Sequence, residues 1–299
     1  MLLAAACGDD AGETADPEPT AAIDEPVEAE VAPTEEPVEA EVAPTDEPVE
    51  AEVAPTEEPV EALRILLTND DGVMAEGIDL VATALGALAD VEVTIVAPAE
   101  NQSGTADSLS EGAVEAVETT TLSGIPAIAV TGTPGDSVLH GLTTVLDRPP
   151  HLIVSGSNDA QNIGPLALIS GTVGATRIGA REGIPGLAVS VGGLVVDPEF
   201  DPVIPLVVEW VEDHRTELVA RPTGGVGQVF SINSPSCAGT GDFNGMLEVP
   251  LADEFGDYNG VVIDCALDIA EPANDVEAFV SGWASLTEIP EEIVLGTPG

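Results

Sequence analysis

Lysine is missing from this sequence altogether. Its cationic side chains are six arginines, set against 55 Asp and Glu among 299 residues, for a formal net charge of −49. A basic patch able to hold a nucleic-acid backbone is thereby excluded. Any phosphate that the chain binds has to be held without a Lys/Arg clamp, by a metal ion and by backbone amides. Aromatic residues are scarce as well, at 3%, so the core must be built from Val, Ile, Leu and Ala. No apolar run approaches the length of about 20 residues that a spanning helix needs. So large a charge suits a secreted protein or a salty medium, where ions screen self-repulsion.

What is present falls into two kinds of material. At the start, Met1 to Ala6 is small and apolar and leads into Cys7-Gly8. This looks like the end of a bacterial lipoprotein signal, with Cys7 as the lipidated residue. The basic n-region and long apolar h-region of a full signal do not precede it, so the signal reads as truncated or its start as assigned too late. An 11-residue repeat follows, Asp24–Thr34, Glu35–Thr45 and Asp46–Thr56, breaking off after Glu61. Each unit has two prolines and several like charges, which prevents a lasting helix or a buried core and favours an extended spacer. Residues 1–62 are thus expected to be a signal remnant and a disordered acidic tether, and residues 63–299 the globular domain.

From Leu63 onward, apolar strand runs alternate with helical periodicity, the pattern of an α/β fold with a mostly parallel sheet. The first strand, Leu63 to Thr68, stops at Asn69-Asp70-Asp71-Gly72. Adjacent carboxylates repel unless a cation or proton lies between them, and an all-oxygen set suits a hard ion such as Mg²⁺ or Mn²⁺. The same four residues also make good turn chemistry, and both readings stand at this stage. A helix is expected over Ile78–Leu88, a strand over Val91–Ala97, and then a polar loop, Ala99–Ser108. Val114 to Val130 reads as a hairpin turning at Ser123-Gly124, an excursion from the main sheet, and Thr133-Pro134-Gly135-Asp136 opens the next helix, Ser137–Leu146, with Pro near its first turn. Strand Leu152–Ser155 leads to a second polar loop, Gly156–Gly164. The chain then enters a helix at Ile169-Ser170-Gly171-Thr172-Val173, which offers either an anion site or an ordinary Ser/Thr cap. Strand Gly186–Val191, helix Val203–Leu218 and strand Val226–Asn233 complete the sheet. Cys237 and Cys265 would form a disulfide in an exported protein, the alternative being two buried thiols. Val276–Ile289 reads as a strand or hairpin arm carrying Phe279 and Trp283, a subunit contact or an edge strand. No G-x-G-x-x-G follows the first strand, which removes an NAD-type site.

Three of these segments share a pattern with one family: Ile65–Ile78 (I-L-x-x-N-D-D-G-x-x-x-x-G-I), Ala97–Leu109 (A-P-x-x-x-x-S-G-x-x-x-S-L) and Val154–Gly164 (V-S-G-x-N-x-x-x-N-x-G). Gly132–Asp136, Ser170–Ser190 and Phe230–Pro235 fit too, and Val276–Thr287 is similar to the family's swapped C-terminal hairpin. In this order they resemble the survival-protein SurE family of 5′-nucleotidases. The resemblance implies a three-layer, Rossmann-like α/β fold with a β-hairpin excursion and a C-terminal hairpin arm. It also implies a divalent-metal-dependent phosphomonoesterase acting on nucleoside monophosphates, assembled as a homodimer or tetramer. Carried over by motif, Asp70, Asp71, Ser103 and Asn158 would hold Mg²⁺ or Mn²⁺, with Asp70 and Asp71 as the catalytic pair. Asn69, Asn162, Ser170, Gly171 and Thr172 would line the phosphate. With Cys7 and the tether, the expectation is an extracytoplasmic, lipid-anchored enzyme; the alternative is a non-catalytic binder on the same fold. The sequence departs from the family at Met74, Glu76, Ser157, Asp159, Ala160 and Ile178, and Asp159 adds a negative charge beside the expected phosphate site. His140, His151 and His214 lie outside the polar loops, so no leaving-group acid can be named.

Overall fold

The strand expected first, β1 (Leu63–Thr68), is buried except at Arg64. That degree of burial marks a central strand covered on both faces. Parallel neighbours flank it, β2 (Val91–Pro98) on one side and β5 (Leu152–Asn158) on the other. In the computed structural model the described residues are 61–192, 199–221, 225–258 and 262–290. Cys7 and the repeats lie outside them.

The remaining strands are β3 (Ala116–Thr120), β4 (Pro126–Val130), β6 (Gly186–Gly192), β7 (Val229–Pro235), β8 (Met246–Glu248) and β9 (Ala284–Ile289). Among the described residues they form one sheet in the order β3-β4-β2-β1-β5-β6-β7-β9-β8. The run from β4 to β7 is parallel, while β3 and β9 are antiparallel to their neighbours β4 and β7. Side chains alternate across a strand, and the core divides accordingly. Leu63, Ile65 and Leu67 meet Ile78, Val81 and Leu85 of α1 (Glu76–Gly86) and Val207 and Trp210 of α4 (Val203–Ala220). On the other face, Leu66 and Ile153 meet Val138 of α2 (Pro134–His140) and Ala175 and Ile178 of α3 (Gly171–Arg181). Three layers result, with aliphatic side chains supplying most of the burial, at roughly 25 cal/mol per Å² of apolar surface.

Two helices have starts written in the sequence. Thr133 and Asp136 make a capping box for α2, which therefore begins at Pro134 rather than Ser137 and passes into a π-helical turn at Gly141–Val145. Ser170 caps α3, its Oγ accepting from the Val173 N–H at 3.1 Å. Close contact fixes α1: a Cβ on Gly77 would lie 1.8 Å from the Ser157 carbonyl oxygen. Only glycine lets α1 rest on the end of β5.

The expected hairpin forms, and its second strand also pairs with β2, so the hairpin is one edge of the main sheet. The last segment differs from the expectation of an exposed arm. Asp275–Val280 is a helix, α5, capped by Asn274, with Phe279 fully buried. Only Ala284–Ile289 is strand, and it lies within the sheet. The apolar positions Val276, Phe279 and Val280 have helical spacing, and the Asn274 cap decides the outcome. Cys237 and Cys265 are bridged, with Cα atoms 5.7 Å apart, in a small cluster with Ile163, Val276 and Phe279. No helix among the described residues is long and apolar enough to cross a membrane.

Candidate active site

The chain leaves β1 towards β2 on one side and returns to β5 on the other. Ligands of open α/β sheets bind where the chain changes direction in this way, beyond the carboxyl ends of strands such as β1 and β5. Asp70 and Asp71 follow β1, and Asn158 ends β5. The turn after β1 needs Gly72, whose φ is +103°, in a region that favours glycine. The Asn69 side-chain amide donates to the Gly72 carbonyl at 2.8 Å and closes the turn. Asn69 is fully buried and Asp70 is 3% exposed. The turn reading holds, and it leaves room for the metal one: Asn69 builds the turn, and the turn presents the two carboxylates.

The first turn of α3 packs directly on Asp70. A Cβ on Gly171 would lie 2.8 Å from the Asp70 Cβ and 2.9 Å from its Oδ2. Thr172 Oγ1 donates to Asp70 Oδ1 at 2.6 Å. Asn162 donates from Nδ2 to Thr172 Oγ1 at 3.3 Å and to Ser190 Oγ at 2.9 Å, while its N–H donates to Asn233 Oδ1 at 2.7 Å. Asp71 accepts from Asn101 Nδ2 and from the Asp159 N–H, each at 3.3 Å. Ser103 lies in the exposed loop, its N–H bonded to Asn101 Oδ1 at 2.9 Å. Hydrogen bonds thus join Asp70, Thr172 and Asn162, with Gly171 packed on Asp70, while Asp71 is held separately by Asn101 and Asp159 and Asn69 by the turn. Ser170 sits at the edge of these contacts as the α3 cap, and Ser103 connects to Asp71 through Asn101.

The electrostatics of the pair are unusual. Burial pushes the Asp70 carboxyl above its ordinary value despite the Thr172 hydrogen bond, and the Asp159 charge adds to the rise. Burial, with the charges of Asp70 and Asp159, pushes Asp71 up to about 7. A divalent cation would remove this cost by favouring both ionised forms. The surrounding donors fit one. Asn69 Oδ1 and Asn158 Oδ1 are buried and accept no hydrogen bond among the described residues, where such groups are normally satisfied. No cluster of three or more His, Cys, Asp or Glu side chains suited to a metal occurs among the described residues. Two carboxylates with amide and hydroxyl oxygens are a hard-cation set. The histidines are elsewhere: His151 contacts Arg64, His214 stacks on Trp210 with ring centroids 4.2 Å apart, and His140 ends α2.

Residues 65–249 match the family model described as survival protein SurE. The chain belongs to the SurE family. A 5′-nucleotidase SurE from Synechococcus sp. (strain JA-3-3Ab) is 29% identical over 247 residues, 77% of this chain and 93% of the relative. A 5′-nucleotidase SurE from Aliivibrio fischeri is 38% identical over 176 residues, 58% of this chain and 63% of the relative. One from Methanopyrus kandleri is 42% identical over 128 residues, 43% and 48% of the two chains. The match thus spans about half the length of some curated relatives. The crystal structure of the SurE protein from Aquifex aeolicus has a TM-score of 0.60 at 24% identity, covering 77% of this chain and 94% of that one, which shows a shared fold.

Several residues that hold this candidate site are not legible in the sequence. Asn233 lies in Phe230–Pro235, a segment that carried the resemblance, yet nothing in its spacing shows that it would accept the Asn162 N–H. Asn101 sits two residues before Ser103 in the polar loop, and that proximity was its one signal. Ser190 gives none, being a single hydroxyl in an apolar strand.

Proposed function

We propose that the chain is a divalent-metal-dependent phosphomonoesterase that releases phosphate from nucleoside 5′-monophosphates. The observation that carries this reading is the convergence of Asp70 and Asp71 with the first turn of α3 through the Thr172–Asp70 hydrogen bond. The names of the relatives support the choice of substrate class. Asp70, Asp71, Ser103 and Asn158 would hold the metal, Mg²⁺ or Mn²⁺. When bound, such an ion supplies charge neutralisation at the phosphoryl oxygens and makes water more acidic.

The chain's own groups do the positioning. The Gly171 N–H and the Ser170 hydroxyl stand at the start of α3, an anion-attracting helix end, while the Thr172 hydroxyl is committed to Asp70. Fixed donors aimed at the equatorial phosphoryl oxygens stabilise charge without reorganisation. Asn162 braces this end from the β5 loop, and Asn69 holds the turn in shape. An exported, lipid-anchored placement at Cys7 is part of the proposal. The acidic repeat spacer and the Cys237–Cys265 bridge support it, since disulfides persist in oxidising compartments. A homodimer or tetramer is proposed with it, as the family resemblance implies.

The test is phosphate release by the purified chain from a panel of nucleoside monophosphates with Mn²⁺, Mg²⁺ or chelator. Release that needs metal and disappears in Asp70→Asn supports the enzyme. A folded protein that binds Mn²⁺ and turns over no member of the panel is instead a binder.

A further inference from the structure

The distribution of charge around Asp70 and Asp71 bears on which phosphorylated compounds the site admits, and this inference rests on the phosphatase reading above. All six arginines belong to the described residues, and each is engaged away from the pair. Arg64 bonds Glu61 and the Pro149 carbonyl at the start of β1. Arg148 lies 4.0 Å from Glu92. Arg215 holds Glu212 and the carbonyls of Ala89 and Asp90, and Arg221 donates to the Val226 carbonyl. Arg177 and Arg181 both face Asp107 and line a crevice with Val226, Val229 and Ile289, near the start of β7. With no lysine in the chain and the histidines elsewhere, no positive side chain is among the groups acting on Asp70 or Asp71. Positive charge reaches the pair only with the metal.

Negative charge is in excess. One divalent ion balances Asp70 and Asp71, and Asp159 remains. Its N–H donates to Asp71 Oδ2 at 3.3 Å, and the residue is exposed, on the solvent side of the pair. Its charge acts on both carboxylates. Beside the α3 cap, Ile169 is 58% exposed and offers an apolar surface instead of a cation. A single phosphoryl group can be drawn onto the metal and the helix end. A second phosphate on the same molecule would meet Asp159 with no cation to offset it.

We propose that Asp159 is a specificity-determining residue that restricts the site to substrates carrying one phosphate on an otherwise uncharged leaving group. Bisphosphates and linear polyphosphate are disfavoured. Short-range repulsion of this kind is screened by salt, a property that a purely steric filter lacks.

The experiment compares kcat/KM for adenosine 5′-monophosphate and adenosine 3′,5′-bisphosphate, with Mn²⁺ in excess, at low and high NaCl. The same 5′-ester bond breaks in both: water attacks phosphorus, the P–O5′ bond breaks, and the 5′-oxygen leaves as the protonated hydroxyl while inorganic phosphate is released; only the second phosphate differs. The native chain should prefer the monophosphate by about tenfold at low salt, and the preference should shrink at high salt. In D159N the preference should fall towards unity and lose its salt dependence, while the main-chain donor to Asp71 is retained. A preference unchanged by both D159N and salt overturns the proposal, as does equal use of the two substrates by the native chain at low salt. Release from neither substrate, with any metal, sinks the phosphatase reading itself and this one with it.

Discussion

Thr172 Oγ1 donates to Asp70 Oδ1 at 2.6 Å across 102 residues of sequence, joining the start of α3 to the turn after β1. The hydroxyl also accepts from Asn162, so it can hand its proton to only one partner, the carboxylate. Thr172→Val keeps the shape and removes both roles. Activity on a nucleoside monophosphate should fall by about 10- to 100-fold, the usual cost of losing an outer partner that orients a metal ligand, and Thr172→Ser should recover most of it. Steady-state kinetics on the three proteins check this.

Gly171 has no room for a side chain against Asp70. Gly171→Ala should push α3 off the carboxylate and lower activity sharply, with a stability loss of about 1–3 kcal/mol from overpacking. For Gly77→Ala the obstacle is the Ser157 carbonyl at 1.8 Å, part of the backbone and unable to move aside cheaply. That variant should lose at least as much stability, read as a lower thermal midpoint of about 2–4 °C per kcal/mol.

Acid should destabilise the domain through carboxylates distant from the site. Burial raises Asp79, but hydrogen bonds from Thr121 and Ser123 outweigh it and hold the carboxyl below its ordinary value. Its contribution is fully present above the unfolded value of about 3.9 and is lost as pH falls through the lower folded value. Asp107, which burial raises but Arg181 and Arg177 hold down, acts in the same sense. Asp70, Asp71 and Asp275, which burial raises, act in the opposite sense and add stability as pH falls. Urea midpoints measured from pH 6 to pH 3 should therefore fall only at the acid end, where Asp79 and Asp107 take up their protons. In Asp79→Asn that fall should be shallower, starting from a lower plateau.

Reduction of Cys237–Cys265, separated by 28 residues, should release about 3–4 kcal/mol of stability on the chain-entropy account. Denaturant unfolding with and without reductant measures it, and a Cys237→Ser/Cys265→Ser double variant should match the reduced protein.

How much of this was legible depended on the range of the interaction. Leu63–Thr68 could be placed from its continuous apolar run, because a strand covered on both faces has no polar positions. The carboxylate pair stood out because Asp70 and Asp71 are neighbours in sequence. Thr133 announced the opening of α2 through a local hydrogen bond to Asp136, though the body of the helix was expected from Ser137. Val276–Ile289 misled because Phe279 and Trp283 suggested exposed aromatics, whereas burial of Phe279 against Ile163 is set by a segment more than a hundred residues away. Asn233 and Ser190 could not be assigned to the site for the same reason. Their partner, Asn162, comes to them through the fold, and nothing local to either encodes it.

The Asp275 carboxylate accepts from the Gly164 N–H at 2.7 Å and the Ala252 N–H at 2.8 Å. It lies beyond the last residue of the family match, 249. During synthesis, the loop bearing Asn162 would therefore wait, with its carboxylates and α3 already made, for a clasp that emerges more than a hundred residues later. A product stopped at 249 would contain every residue assigned to metal or phosphate, with Thr172, Ser190 and Asn233 to meet Asn162, yet lack the clasp on Gly164 two residues on. Catalytic competence would then be among the last properties the chain acquires.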